Sequence, residues 1–219
     1  MVNEKISVIV CTFNQGEWLK NCLDSLINQK FILKKDYEII LIDDASKDLT
    51  KTITKKYKKI ENIKFIRNKK NLGLPKSLNI GIKKSINKYI VRVDADDFVE
   101  KKFLKLSRDF LQKNNKYQAV AVDYNKVDEK NLLISKENCK KKEIACGVMF
   151  LRKCLNEIGL YNEKFRMREG HELKKRFLLK YKIGRLSKCL YNYRQHIKNR
   201  TKNKKKVKLY DKMLSLKYN

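Results

Sequence analysis

Two hydrophobic periods alternate through the first half of the chain. Ile6–Thr12 is a continuous aliphatic run rich in β-branched residues, the pattern of a strand buried on both faces. Trp18, Leu19, Cys22, Leu23, Leu26 and Ile27 then recur at helical spacing and form one apolar stripe. Residues 37–42 read as a second buried strand. Asp44-Ala45-Ser46 supplies a cap for a helix running to Lys59, with Ile53, Tyr57 and Ile60 facing inward. Residues 64–67 form a short strand, Pro75 opens a helix carrying Leu78, Ile82 and Ile86, and residues 88–93 form a fourth strand. This alternation predicts an α/β fold built on a parallel, doubly wound sheet.

The second half is less regular. A helix is expected over 103–111 and a strand over 119–123. Residues 144–151 are apolar with Gly147 inside, which suggests an edge strand or a close backbone approach. Leu173, Phe177, Leu178 and Tyr181 mark a helix after Glu169-Gly170-His171-Glu172, and residues 190–193 read as a last short strand. One folded unit over residues 1–197, followed by a basic tail over 198–219, is the expected organisation.

Composition narrows the function. With 42% apolar and 10% aromatic residues in 219, the chain can bury a core, which excludes a disordered tail or a disulfide miniprotein. No apolar run approaches the ~20 residues needed to cross a bilayer. The chain begins a strand almost at once, without a signal-peptide layout, so the cytoplasm is the expected compartment. Cys11, Cys22, Cys139, Cys146, Cys154 and Cys189 include no C-x-x-C pair and read as reduced thiols. The 54 basic and 24 acidic residues leave a net charge of +30, which attracts polyanions: nucleic acid, anionic lipid or phosphorylated ligands. Lysine is spread along most of the chain as a solvated surface. Only residues 198–217 segregate it, and that tail suits peripheral contact with an anionic membrane on its inner face.

The candidate chemistry lies at strand ends, where doubly wound sheets bind ligands. There is no G-x-G-x-x-G after the first strand and no G-x-x-x-x-G-K-[ST], so dinucleotide or P-loop binding is not expected. Instead the ends carry Thr12-Phe13-Asn14, Asp43-Asp44 and Asp94-Ala95-Asp96-Asp97. Three carboxylates in four residues repel one another unless a hard cation such as Mn2+ or Mg2+ is shared between them. The alternative role for them is a helix N-terminal acidic cluster. A nucleic-acid-binding protein would concentrate its basic charge in a groove, and carboxylates in the crevice argue against that partner.

In order and spacing, ISVIVCTFNQGEWLKNCLDSLINQ, EIILIDDASKD, NLGLPKSLNIGI and YIVRVDADD resemble the nucleotide-sugar-binding half of the family-2 glycosyltransferases. GVMFLRKCLNEIGLYNEKF and MREGHELKKRFLLKYKIGRLSKCLYNYRQH resemble the acceptor-side half of the same family. The resemblance covers about residues 6 to 197. It implies a GT-A fold, a Rossmann-like, mostly parallel sheet flanked by helices, with residues 1–98 on the donor side and 99–197 on the acceptor side. It also implies inverting transfer from a nucleotide-diphosphate sugar, a UDP-sugar above all, to a glycan or lipid-linked acceptor in cell-surface polysaccharide or glycolipid synthesis.

The same resemblance assigns roles. Thr12 and Asn14 lie beside the nucleotide, and Asp44 or Asp43 accepts a hydrogen bond from the base. Asn71, Gly73 and Asn79 shape the loop near base and ribose. Asp94 approaches the ribose or the metal. Asp96 or Asp97 holds the metal, with His196 a further contact. Glu169 is the expected base, with Glu172 the next acid. The sequence departs from the family twice: Gly170 stands where an acid follows the glutamate, and Leu78 where many relatives carry arginine, leaving Lys76 or Lys83 to supply that charge.

Overall fold

The computed structural model describes residues 4–218. Its first half follows the hydrophobic pattern: β1 (Ile6–Thr12), α1 (Gly16–Ile27), β2 (Tyr37–Asp43), α2 (Thr50–Tyr57), β3 (Ile63–Arg67), α3 (Leu74–Lys84) and β4 (Tyr89–Asp94). The strands pair in parallel in the order β3-β2-β1-β4. Alternation along β1 divides the core. Ile6, Val8 and Val10 pack with Leu19, Leu23 and Leu26 of α1, while Ile9 and Cys11 pack with Leu78 and Ile82 of α3. Both faces are covered, which is why these strands read as continuous aliphatic runs.

Two boundaries differ from expectation. Asp44-Ala45-Ser46 is a turn, not a helix cap: Ala45 has φ 65°, and the helix starts only at Thr50, whose N–H donates to Asp48. Ile86 lies beyond α3 and is exposed.

The second half adds β5 (Phe98–Val99), α4 (Phe103–Lys113), β6 (Ala119–Val127), β7 (Leu133–Glu137), β8 (Val148–Leu151), α5 (Arg152–Glu157), α6 (Glu169–Leu178) and β9 (Ile183–Arg194). Strand β8 is antiparallel to both β4 and β6 and lies inside the sheet, not at its edge. Gly147, just before it, has φ +70° and would bring a Cβ to 2.8 Å from the Tyr191 ring, so a close approach accounts for this glycine. Strand β9 is twelve residues long and runs parallel to β6.

The basic segment folds back as α7 (Lys204–Tyr218) against α6. Arg168 grips Asp211 through two hydrogen bonds of 2.8 and 3.1 Å. Lys217 and Tyr218 reach Glu172 at 2.8 and 2.7 Å. Leu214 is buried, and the Phe165 and Tyr210 rings meet at 6.1 Å. Among the described residues no helix is long and apolar enough to cross a membrane.

Candidate active site

Strand order turns at β1, with β2 on one side and β4 on the other, and the carboxyl ends of these strands open into a cleft of about 610 Å³. Thr12 closes β1 in the cleft wall, its buried hydroxyl without a hydrogen-bond partner among the described residues. Asn14, at φ 53°, ties the loop after β1 to the loop after β2. Its N–H donates to Ser46 Oγ at 3.0 Å and its Oδ1 accepts from Lys47 N–H at 2.8 Å.

Asp44 organises the loop between β3 and α3. Its Oδ1 accepts from Asn68 Nδ2 (2.7 Å) and Leu72 N–H (2.8 Å), and its Oδ2 from Gly73 N–H (2.8 Å). A carboxylate can accept about four hydrogen bonds, so one position remains on Oδ2. Asp44, Asn71 and Gly73 all line the cleft. Asp43 does not: it is fully buried beneath the loop, paired with Arg67 and accepting from Ser46 N–H. Of Asp43 and Asp44, then, only Asp44 faces the cleft.

Asn79 is also away from the cleft. Its amide clamps α3 to the segment before α6, donating to Tyr161 O (2.9 Å) and Glu163 Oε1 (3.2 Å) and accepting from Tyr161 N–H (3.0 Å). Neither Lys76 nor Lys83 lines the cleft. A guanidinium is present all the same, because Arg166 lies over Gly73, 3.9 Å from where a Cβ would stand.

At the end of β4, Asp94 and Asp96 line the cleft and Asp97 turns inward. Asp97 accepts from Tyr191 OH (2.7 Å), Arg194 N–H (2.8 Å) and the Cys146 thiol (3.6 Å). Burial, then the Asp96 and Asp94 charges, push its carboxyl well above the ordinary range. Burial does the same to the Cys146 thiol. Asp94, Asp97 and Cys146 bring one ligand atom each within 4.8 Å of one another. Both Asp97 oxygens are already engaged, Oδ2 by Tyr191 and Cys146 and Oδ1 by the Arg194 N–H, and Asp97 does not line the cleft. Asp96 and His196 fit a metal ion better. Asp96 Oδ2 lies 2.9 Å from His196 Nε2 at the cleft wall, and the imidazole packs 4.0 Å from the Trp18 ring. A carboxylate and an imidazole nitrogen suit a divalent first-row metal.

Across the cleft stands the first turn of α6. Glu169 lines the cleft, and its Oε1 accepts from Arg92 Nη1 at 2.9 Å. Glu172 points away, its side chain fully buried between Arg176, Lys217 and Tyr218. Burial raises its pKa, but the hydrogen bonds from Arg176, Lys217 and Tyr218 outweigh this and bring it down to about 2. Of the two glutamates only Glu169 faces the cleft. Gly170 has no room for a side chain, since a Cβ would stand 2.3 Å from that of Ala145. His171 also lines the cleft, its pKa lowered by burial and by Arg168.

Arginines that the sequence did not single out also line the cleft, among them Arg92, Arg166 and Arg200. Each reaches the site from a different segment, and lysine and arginine are too abundant in this chain for any one of them to stand out. Arg92 alone carried a signal, a charge inside the buried run YIVRVD.

An α/β sheet of this order, with carboxylates ending its fourth strand and a helix facing them across the cleft, defines a nucleotide-sugar-binding fold of the GT-A class. The chain belongs to Glycosyl transferase family 2, whose model matches residues 7–171. An uncharacterized glycosyltransferase of Haemophilus influenzae is 38% identical over 116 residues, 52% of this chain and 35% of that protein. The poly(ribitol-phosphate) beta-N-acetylglucosaminyltransferase TarS of Staphylococcus aureus is 34% identical over 112 residues, 51% of this chain and 19% of TarS. This chain thus matches about a third or less of the length of those relatives. The crystal structure of TarS 1–349 superposes with a TM-score of 0.75 at 25% identity, covering 87% of this chain and 60% of that one. The mannosyltransferase PcManGT from Pyrobaculum calidifontis, solved with GDP-Man and Mn2+, shares the fold at a TM-score of 0.69 and 15% identity, over 90% and 58% of the two chains.

Proposed function

We propose that this chain transfers a sugar from a nucleoside-diphosphate sugar, a UDP-sugar by preference, to a hydroxyl of a glycan or lipid-linked acceptor, with inversion at the anomeric carbon. The observation that carries the reading is the cleft itself: Asp44 after β2 and Asp94 and Asp96 at the end of β4 on one side, Glu169 facing them on the other. Thr12 and the free position on Asp44 Oδ2 receive the nucleoside, and Asn71 and Gly73 shape the wall beside it. Asp96 and His196 hold Mn2+ or Mg2+, which when bound stabilises negative charge on the leaving diphosphate.

Glu169 is the base. It takes the proton from the acceptor hydroxyl as that oxygen bonds to the anomeric carbon. The bond from that carbon to the diphosphate oxygen breaks, and its electron pair leaves with the nucleoside diphosphate. Arg166, Lys198, Arg200 and Lys206 give the rim a positive field, which suits an acceptor bearing phosphates. That TarS is named for a poly(ribitol-phosphate) acceptor agrees with this. Acidic side chains in the floor disfavour nucleic acid as the partner. The outward stripe of α7, with Leu209 and Leu216 exposed at 57% and 78% among Lys205, Lys208 and Lys212, suits an anionic membrane surface.

The test is a panel of UDP-GlcNAc, UDP-glucose and GDP-mannose with Mn2+, scored by melting shift, donor consumption and product anomer. A ligand at about 100 times its Kd stabilises by about 2.7 kcal/mol, several degrees in a chain of this size. A UDP-sugar should stabilise most and be consumed with inversion. If no sugar nucleotide moves the melting point or is consumed, the reading fails.

A further inference from the structure

Arg92 sits in the middle of β4, between the buried aliphatic residues Val91 and Val93. A guanidinium at this depth is unfavourable unless its donors are paired. All three of its nitrogens are. Nε and Nη2 donate to the two oxygens of Asp94 at 2.5 and 2.9 Å, and Nη1 donates to Glu169 Oε1 at 2.9 Å. Burial disfavours the Arg92 charge, but Asp94 and Glu169 more than offset it, so the cation is permanent. One side chain thereby spans the cleft floor from the strand that ends at the donor side to the helix that opens the acceptor side.

We propose that Arg92 is a built-in cation that positions the base and withdraws Asp94 from the metal. This rests on the transferase reading above. With both Asp94 oxygens engaged by the guanidinium, a divalent ion is left to Asp96 and His196. With Oε1 of Glu169 engaged, its Oε2 takes no hydrogen bond among the described residues and is the oxygen presented to an acceptor hydroxyl. Arg92 touches neither the anomeric carbon nor the incoming hydroxyl, so it is a positioning residue, not a catalytic one.

The test compares wild type with Arg92→Met, Arg92→Lys, Glu169→Gln, Arg92→Met/Glu169→Gln and Arg92→Gln/Glu169→Gln. Mn2+ affinity is measured by calorimetry without nucleotide, and kcat and KM are measured with the donor that the panel identifies. Arg92→Met should bind Mn2+ at least tenfold more tightly than wild type, because it frees Asp94 and removes a repelling charge. It should also lose at least a hundredfold in kcat with donor KM within about threefold. Adding Glu169→Gln to it should cost little more, and Arg92→Lys should recover part of kcat. Unchanged or weaker Mn2+ binding overturns the proposal, as does a kcat loss that multiplies with that of Glu169→Gln. Should Arg92→Met fail to fold, the neutral pair Arg92→Gln/Glu169→Gln carries the Mn2+ measurement, with the same two outcomes. The titration uses no sugar nucleotide. If wild type consumes none of the panel while the variant still tightens on Mn2+, the transferase reading fails and the assignment of Arg92 to Asp94 stands.

Discussion

Gly170 allows the packing around the start of α6 to be tested with one methyl group. It lies in the first turn of α6, where a Cβ would stand 2.3 Å from the Ala145 Cβ and 3.1 Å from its Cα. Two effects oppose each other in Gly170→Ala. Replacing glycine within a helix gains roughly 0.5–1 kcal/mol. Forcing a methyl into filled space costs typically 1–3 kcal/mol. A carbon–carbon approach of 2.3 Å is far inside contact distance and its partner is backbone-anchored, so the cost belongs in the upper part of that range. The net is a destabilisation of about 1–2 kcal/mol. At about 2–4 °C per kcal/mol for a chain of this size, that lowers Tm by about 2–8 °C. Differential scanning calorimetry and urea denaturation both measure it. Ala145→Gly removes the nearest atom, so Gly170→Ala in that background should be nearly neutral, a coupling that helix propensity alone does not produce. If Gly170→Ala raises Tm, or costs the same in both backgrounds, the segment around Ala145 does not press on α6 and this account of the glycine is wrong.

Three further outcomes are expected. Asp96→Asn and His196→Ala should each weaken Mn2+ binding at least tenfold by calorimetry, whereas Asp97→Asn should lower Tm without that loss; equal Mn2+ losses from all three would contradict the ligand assignment. Glu172 has its folded pKa depressed to about 2, so it contributes stability that is full above its ordinary value near 4.5 and is lost as pH falls toward 2. The Tm difference between wild type and Glu172→Gln should therefore shrink across that window, and a gap constant from pH 6 to pH 2 would count against the α6–α7 ion pairing. Leu209→Ser/Leu216→Ser should reduce co-sedimentation with phosphatidylglycerol vesicles in 0.5 M salt, where bare charge attraction is screened; identical binding by both proteins would remove α7 from the membrane contact.

The first half of the chain was legible because both faces of its sheet are covered. Continuous aliphatic strands alternating with striped helices leave little choice of topology, and the topology brings Thr12, Asp44 and Asp94 to one edge. What the pattern did not carry was which member of each acidic pair faces that edge. Asp43 and Asp44 are adjacent, and the turn with Ala45 at positive φ decides between them. Asp96 and Asp97 are separated by Tyr191 and Arg194, almost a hundred residues away, which draw Asp97 inward. Glu169 and Glu172 are one helical turn apart, and the docking of α7 claims Glu172. That helix was not legible either, because the few apolar residues of its covered face, Leu214 foremost, stand within a run of lysines.

In each of these pairs the acid that leaves the cleft is held by a cation or by hydrogen bonds from a distant segment, while the one that remains keeps an oxygen toward solvent or the opposite wall. The high basic content of this chain bears on that sorting. Arg67 takes Asp43, Arg176 and Lys217 take Glu172, and Arg92 takes both oxygens of Asp94 and one of Glu169. A sequence of +30 could have been read as a surface made for polyanions, and Arg166, Lys198, Arg200 and Lys206 do gather basic charge at the cleft. Beneath the rim the same residue types have the opposite use: they pair with carboxylates and leave Asp44, Asp96 and one oxygen of Glu169 facing the cleft. Net charge describes the approach to this protein; the pairing of individual arginines describes its site.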